Sequence, residues 1–223
     1  MKRLELIDLN GVCRTSLPEY PVGLCGASGL LIDDKIVICG GEIGWNWQLT
    51  KNCYQLRNGN DAFQYVHSMN VERDYAKSAI FQGNMLVTGG CYPNSCAPIG
   101  SGEFIVPQQK PDIQLPEPLS SHSFIKINQT TVLLVGGNTN SNGCSKKTFY
   151  MNIDINQWKH GPDLKTSRCW HTAGVLIDHI NNNPIVAVVG GDNGTPLNSV
   201  ELLVQGQNYW TDGTSNAKFS NQT

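Results

Sequence analysis

The sequence predicts an all-β chain assembled from four copies of one four-stranded antiparallel sheet. Three observations carry this. Four short apolar runs each end in a Gly-Gly pair, at Gly40-Gly41, Gly89-Gly90, Gly136-Gly137 and Gly190-Gly191. Their spacings of 49, 47 and 54 residues mark a repeat architecture. The 223 residues include 23 glycines and 11 prolines and are only 15% charged, which suits many short strands joined by tight turns.

Each repeat opens with an inner hairpin. Residues 27–32 turn through Asp33-Asp34 into 36–39, and 79–81 turn through Gln82-Gly83-Asn84 into 85–88. Residues 123–127 turn through Asn128-Gln129 into 132–135, and 172–177 turn through a longer loop ending in Asn181-Asn182-Asn183 into 185–189. These turns hold the residues that hairpins demand. A polar loop follows each diglycine, then a third strand near 52–56, 103–106, 148–153 and 200–204. A fourth strand forms around an aromatic or apolar anchor, clearest at Trp158 and Trp210. Residues 4–8 match the third strand at 200–203, so the chain starts in mid-repeat. The boundaries are 1–20 (outer strands only), 21–68, 69–118, 119–163 and 164–215, with a tail over 216–223, all within one domain.

An apolar run, Gly-Gly, a polar loop, then Tyr and a later Trp resembles the kelch repeat. Tyr150 with Trp158 is the best match, and Tyr54 with Phe63 a looser one. The last repeat has Trp210 without the Tyr, and residues 89–116 lack both aromatics. The resemblance implies a kelch-type β-propeller of four full blades plus an N-terminal half blade. Such propellers generally have six or seven blades, so the chain is expected to be part of a larger propeller or an open arc. It further implies a non-catalytic module that presents rim loops to a protein partner. Galactose-oxidase-like copper enzymes share the repeat, but their Tyr, His and Cys set cannot be assembled here beyond the adjacent Cys91-Tyr92. The propeller of a ubiquitin-ligase adaptor is the other alternative, and the dimerisation domain that precedes such propellers is missing from this sequence.

Charge and hydropathy exclude other classes. A net charge of −2 with scattered Lys and Arg gives no electrostatic footprint for nucleic acid. The longest apolar run, 185–189, is far too short to span a bilayer, and Glu5, Asp8 and Asn10 interrupt any signal-peptide core. The chain therefore reads as soluble. The stretch Gly40-Gly41-Glu42-Ile43-Gly44 lacks the helix start that a phosphate loop needs, and its Gly pair recurs four times. No cofactor is expected.

Trp45 and Trp47, just after the first diglycine, and Tyr92 in the equivalent loop of the next repeat are the leading partner-binding candidates. Large aromatics on loops are typical interface anchors. Arg168, Trp170 and His171 form a second candidate group at a channel mouth. His122 and His171 occupy equivalent places, but no carboxylate or thiolate accompanies them at ligand spacing, so no metal is expected. Trp158 and Trp210 are expected to wedge between neighbouring sheets, and the glycine pairs to serve close backbone packing.

Eight cysteines exceed intracellular habit without reaching the density of a disulfide scaffold. Cys91 with Cys96 is expected to close a small loop and Cys39 with Cys53 to bridge two strands, leaving Cys13 with Cys25 and Cys144 with Cys169. Bonded pairs point to an extracellular setting; the alternative is buried, reduced thiols. Asn128, Asn193 and Asn221 head glycosylation sequons, of which Asn193 is the best placed.

Overall fold

Short apolar runs punctuated by turn residues favour antiparallel pairing, and the computed structural model is built of it throughout. It describes residues 5–7, 13–44, 48–57, 62–81, 83–105, 112–139, 143–152, 154–177 and 183–213. Among the described residues there is no helix, hence none long and apolar enough to cross a membrane. The chain divides into two compact units, Met1–Ser120 and Ser121–Thr223.

The first unit starts with a hairpin of β1 (Glu5–Ile7) and β2 (Cys13–Ser16). After β3 (Leu24–Cys25) come β4 (Ser28–Ile32) and β5 (Lys35–Cys39), then β6 (Glu42–Ile43) and β7 (Gln48–Leu49), then β8 (Asn52–Arg57) and β9 (Gln64–Ser68). Strands 4, 5, 8 and 9 form one four-stranded sheet in that order, and strands 3, 6 and 7 a small separate one. The next sheet runs β10 (Lys77–Phe81), β11 (Asn84–Thr88), β12 (Ile99–Ile105), β13 (Ile113–Leu119). In the second unit, β14 (Ser123–Lys126) and β15 (Thr131–Val135) pair onward to β18 (Thr148–Asn152) and β19 (Gln157–His160). The two-stranded β16 (Asn138–Thr139) and β17 (Gly143–Cys144) lies between them in sequence. The last sheet is β20 (Thr172–Ile177), β21 (Pro184–Val189), β22 (Val200–Val204), β23 (Thr211–Asp212).

All four sheets share one register. The first residue of the inner strand pairs with the residue before the diglycine: Ser28 with Cys39, Lys77 with Thr88, Ser123 with Val135, Thr172 with Val189. Asp33 and Asp34 both take positive φ (45° and 58°), the type I′ geometry that fits a two-residue hairpin. The two small extra sheets have no signature in the sequence beyond a diglycine loop. β13 is a sheet edge, which is why Pro116 and Pro118 are tolerated within it.

Every diglycine is a backbone junction. The first Gly N–H donates to a carbonyl at or near the start of the third strand: Gly40 to Asn52 O, Gly89 to Ser101 O, Gly136 to Lys147 O, Gly190 to Ser199 O. The second donates to the next repeat, Gly41 to Arg73 O, Gly90 to Leu119 O and Gly137 to Arg168 O, at 2.8–2.9 Å. Gly41 sits at φ 93° with Cys25 O only 2.6 Å from where a Cβ would be, so glycine alone fits.

Two of these junctions carry a buried ion pair. Arg73 Nε donates to Glu103 Oε1 at 3.0 Å, while its Nη1 reaches Gly89 O and Ser101 O and its Nη2 Ser101 Oγ. Arg168 repeats the arrangement with Glu201 Oε1 at 2.7 Å, Gly190 O and Ser199. Both arginines are almost completely buried. The Glu carboxylates also accept backbone N–H groups, from Asn70 and from Lys165 and Thr166. Charges are buried at acceptable cost only when paired and hydrogen-bonded in this way.

Apolar packing joins successive sheets within each unit. Val37, Cys39 and Cys53 of the first sheet meet Ala76, Met85 and Val87 of the second. Leu133 and Val135 meet Val186, Val188 and Leu203. Trp210 is buried in that cluster and donates from Nε1 to Pro162 O at 2.8 Å, reaching the end of the preceding repeat. Trp158 on β19 is half-buried instead. Leu17, Tyr20, Val22 and Leu24 cover the opposite face of the first sheet at Ile36 and Ile38, with Phe63.

Cys39–Cys53, Cys91–Cys96 and Cys144–Cys169 are joined as disulfides. Such bonds form and persist in oxidising environments. Cys25 is a thiol; the side chain of Cys13 lies outside the described residues.

Two outcomes are expected. In urea denaturation at neutral pH, Glu201→Ala strands the buried Arg168 charge and lowers the unfolding free energy by about 3–5 kcal/mol. Non-reducing peptide mapping should recover the three cross-links, and replacing Cys39 and Cys53 together by Ser should cost about 3 kcal/mol for a loop of this length.

Candidate functional site

The residue two places before each inner strand lies in the left-handed region: Gly26 (φ 65°), Tyr75 (53°), Ser121 (52°) and Trp170 (56°). For a bulky side chain this conformation is strained by on the order of 1–3 kcal/mol and collects at functional sites. Within each unit the two positions are joined through the backbone: Tyr75 N donates to Gly26 O at 3.0 Å, and Trp170 N to Ser121 O at 2.9 Å.

In the first unit this junction sits on buried acid. Asp74 is 2% exposed and its Oδ1 accepts from Tyr75 N at 3.0 Å. A side chain at Gly26 would collide with that carboxylate. Glu42, also buried, accepts from Cys25 Sγ at 3.7 Å. Burial pushes the Asp74 carboxyl up to about 6; the Tyr75 N–H opposes this and the Glu42 charge adds to it. Burial, with Glu42 and Asp74 beside it, also pushes the Cys25 thiol up, which keeps it protonated and weakly nucleophilic.

Asp74 is tied to the loop above it by a two-way bridge, its N–H to Cys91 O at 3.2 Å and Cys91 N–H to its own C=O at 2.7 Å. The Cys91–Cys96 disulfide closes that loop, and Asp74, Leu49 and residues 91–96 line a cleft of about 350 Å³. Tyr92 stands at this cleft, 45% exposed. A second cleft of about 400 Å³ lies at the other, hairpin-turn end of the same two sheets, lined by Asp33, Lys35, Val66, His67 and core-edge residues. Only the first combines a strained backbone, a buried carboxylate and a cross-linked loop.

In the second unit Trp170 follows Cys169, which is held by its disulfide to Cys144 and by a bridge to Asp192. Trp170 is 63% exposed, and its Nε1 donates to Ser121 Oγ. Arg168 and His171 flank it in sequence but turn inward: Arg168 is spent on Glu201 and the Gly190 carbonyl, and His171 is 4% exposed. His122 is fully buried. Trp45 and Trp47 lie outside the described residues. Among the described residues no group of three or more His, Cys, Asp or Glu is arranged to hold a metal ion.

Asp74 and Glu42 are not singled out as site residues by the sequence pattern, and Cys25 is expected there only as a disulfide partner of Cys13, whereas it is a thiol. The only available signal is register: Cys25, Asp74, Ser120 and Cys169 each stand three places before an inner strand.

The Asp74 carboxyl is raised above its ordinary value, so the folded state holds this proton more tightly than the unfolded chain does. Its stabilising contribution is present at low pH and is lost as pH rises through about 6, by about 3 kcal/mol at most. Thermal melts should therefore show Asp74→Asn, which keeps the acceptor for Tyr75 N–H, gaining on wild type between pH 5 and pH 7.5. An unchanged difference across that range removes Asp74 as the titrating group.

No family model matches this chain and no curated protein matches it in sequence.

Proposed function

We propose that the chain is a kelch-type β-propeller array that serves as a non-catalytic binding module, presenting the loops at the diglycine end of its sheets to a protein partner. The observation that carries this reading is Trp170. A Trp left 63% exposed, held in a left-handed backbone and braced at Nε1, is arranged for contact and not for packing. Rigid aromatic anchors lose little entropy on binding and dominate interface energetics.

Tyr92 plays the same part in the first unit, on a loop closed by Cys91–Cys96. Trp45 and Trp47 belong to the proposed contact set from their loop position in the sequence. Arg168 and His171, spent on the interior, are left out of it. A binding role is favoured over catalysis at the Asp74 cleft because the nearby thiol is held protonated and a single raised carboxyl lacks a nucleophile to serve. The three disulfides favour an extracellular setting.

The test compares the full chain with Trp170→Ala and Tyr92→Ala in affinity capture from extracellular fluid, followed by affinity measurement on the species recovered. Each variant should weaken binding of that species at least tenfold while leaving the melting temperature within a degree or two. Tyr209→Ala, an exposed aromatic near the outer edge of the last sheet, should bind as wild type does. Equal binding by all four proteins would sink the reading.

A further inference from the structure

Two of the Asn-x-Thr triplets of the sequence fall on described residues, Asn128-Gln129-Thr130 and Asn193-Gly194-Thr195. Such a triplet accepts an N-linked oligosaccharide where it is exposed on a chain that passes through the secretory compartment. Disulfides form in that same compartment, and this chain carries three.

Asn128 and Gln129 are the exposed tip of the hairpin between β14 and β15, which Ile127 N–H closes by donating to Thr131 O at 2.9 Å. Asn128 Oδ1 accepts Thr130 N–H at 2.9 Å and Thr130 Oγ1–H at 3.3 Å. This Asx turn engages the oxygen branch of the planar carboxamide and leaves Nδ2 on the other branch. The turn needs only the backbone N–H of residue 130. A hydroxyl there is not demanded by the fold, whereas an acceptor triplet requires it.

Asn193, the better placed of the two by sequence position alone, is the poorer acceptor in the structure. Pro196 directly follows its triplet and restricts Thr195 to extended backbone, while Thr130 is followed by Thr131. Asn193 also adjoins Asp192, which is bridged to Cys169 beside Trp170, so an oligosaccharide there would crowd the proposed contact surface. Asn128 stands at the opposite end of its sheet. From Ser121, whose carbonyl accepts Trp170 N–H, the chain runs through β14 to Asn128, about 20 Å of largely extended backbone.

We propose that Asn128 is an N-glycosylation site whose oligosaccharide covers the hairpin-turn end of the third sheet and leaves the diglycine end clear. The donor is a lipid-diphosphate-linked oligosaccharide. Nδ2 forms a bond to C1 of the first sugar, the bond from C1 to the diphosphate oxygen breaks, the lipid diphosphate leaves as an anion, and Nδ2 gives up one proton. No electrons are gained or lost. The site rests on the extracellular setting proposed above and is independent of partner binding at Trp170 and Tyr92.

The test is peptide mass mapping of the full chain secreted from a eukaryotic cell, before and after peptide N-glycosidase, which leaves Asp at each released site. The wild-type peptide holding Asn128 should carry an oligosaccharide and convert to Asp on release. Asn128→Gln and Thr130→Ala should each reduce the modified fraction at least tenfold, and Thr130→Ser, which keeps the hydroxyl, should restore it. Asn193→Gln should leave modification at Asn128 unchanged. An unmodified Asn128 in the wild type overturns the proposal, as does modification indifferent to Thr130→Ala or a chain modified at Asn193 in its place. Non-reducing mapping of the same sample separates the two readings: an unmodified Asn128 with the three cross-links in place sinks the glycosylation site alone, and one with free thiols sinks the extracellular setting as well.

Discussion

The structure depends on what happens four residues before each inner strand. Before the second, third and fourth inner strands that residue, Arg73, Leu119 or Arg168, accepts through its carbonyl the second diglycine N–H of the preceding repeat. At Arg73 and Arg168 the side chain binds the first diglycine carbonyl of its own repeat, and the Glu two strands away holds the guanidinium. One residue thereby fastens two sheets, through backbone on one side and side chain on the other. Hydrogen-bonded buried polar groups specify a unique arrangement; among the described residues all three guanidinium nitrogens of Arg73 have partners, and at Arg168 Nη1 and Nη2 do while the buried Nε does not.

The same position is filled in two ways. Glu103 and Glu201 stand opposite Val87 and Val188, two residues before a diglycine. In the first and third repeats the equivalent sites hold Tyr54 and Phe149, and the positions matching the arginines hold Leu24 and Leu119. Both members change together, from Arg with Glu to Leu with an aromatic residue. A charged member facing an apolar one would leave an unpaired buried charge, costing about 3–5 kcal/mol, whereas a complete exchange of a buried pair for packed hydrophobics is close to neutral. The carbonyl of Leu119 still accepts from Gly90, so the backbone half of the junction survives when the ionic half is absent.

This alternation explains how far the sequence could be read. The diglycines and inner strands were legible because a period of two and a turn signal are local: 172–177 and 200–204 appear with those bounds. The Arg–Glu link was not, because its halves lie 30 and 33 residues apart and occur in only two of four repeats. Arg168 accordingly read as a partner-binding residue at a channel mouth beside Trp170 and His171, although its side chain turns inward onto Glu201. The outer strands between 99 and 119 lack the Tyr and later Trp of the repeat pattern, and register alone places them. At the candidate site, Tyr92 and Trp170 were visible as loop aromatics, while Asp74 was hidden. Its character comes from burial beneath Gly26 and beside Glu42, neither of which a linear pattern encodes.

Exposed aromatics are common on protein surfaces, and the environment of each decides what it signifies. Tyr65 and Tyr209 are more than half exposed on or beside the outer strands, where no cross-link restrains them. Tyr92 and Trp170 each directly follow a disulfide cysteine, Cys91 and Cys169, and each of those cysteines is bridged through its backbone to a neighbouring aspartate, Asp74 and Asp192. A left-handed Trp would relax if its preceding residue were free to move. The Cys144–Cys169 bond and the Asp192 bridge restrict that freedom, so the left-handed conformation of Trp170 is held in place by restraints on the residue directly before it.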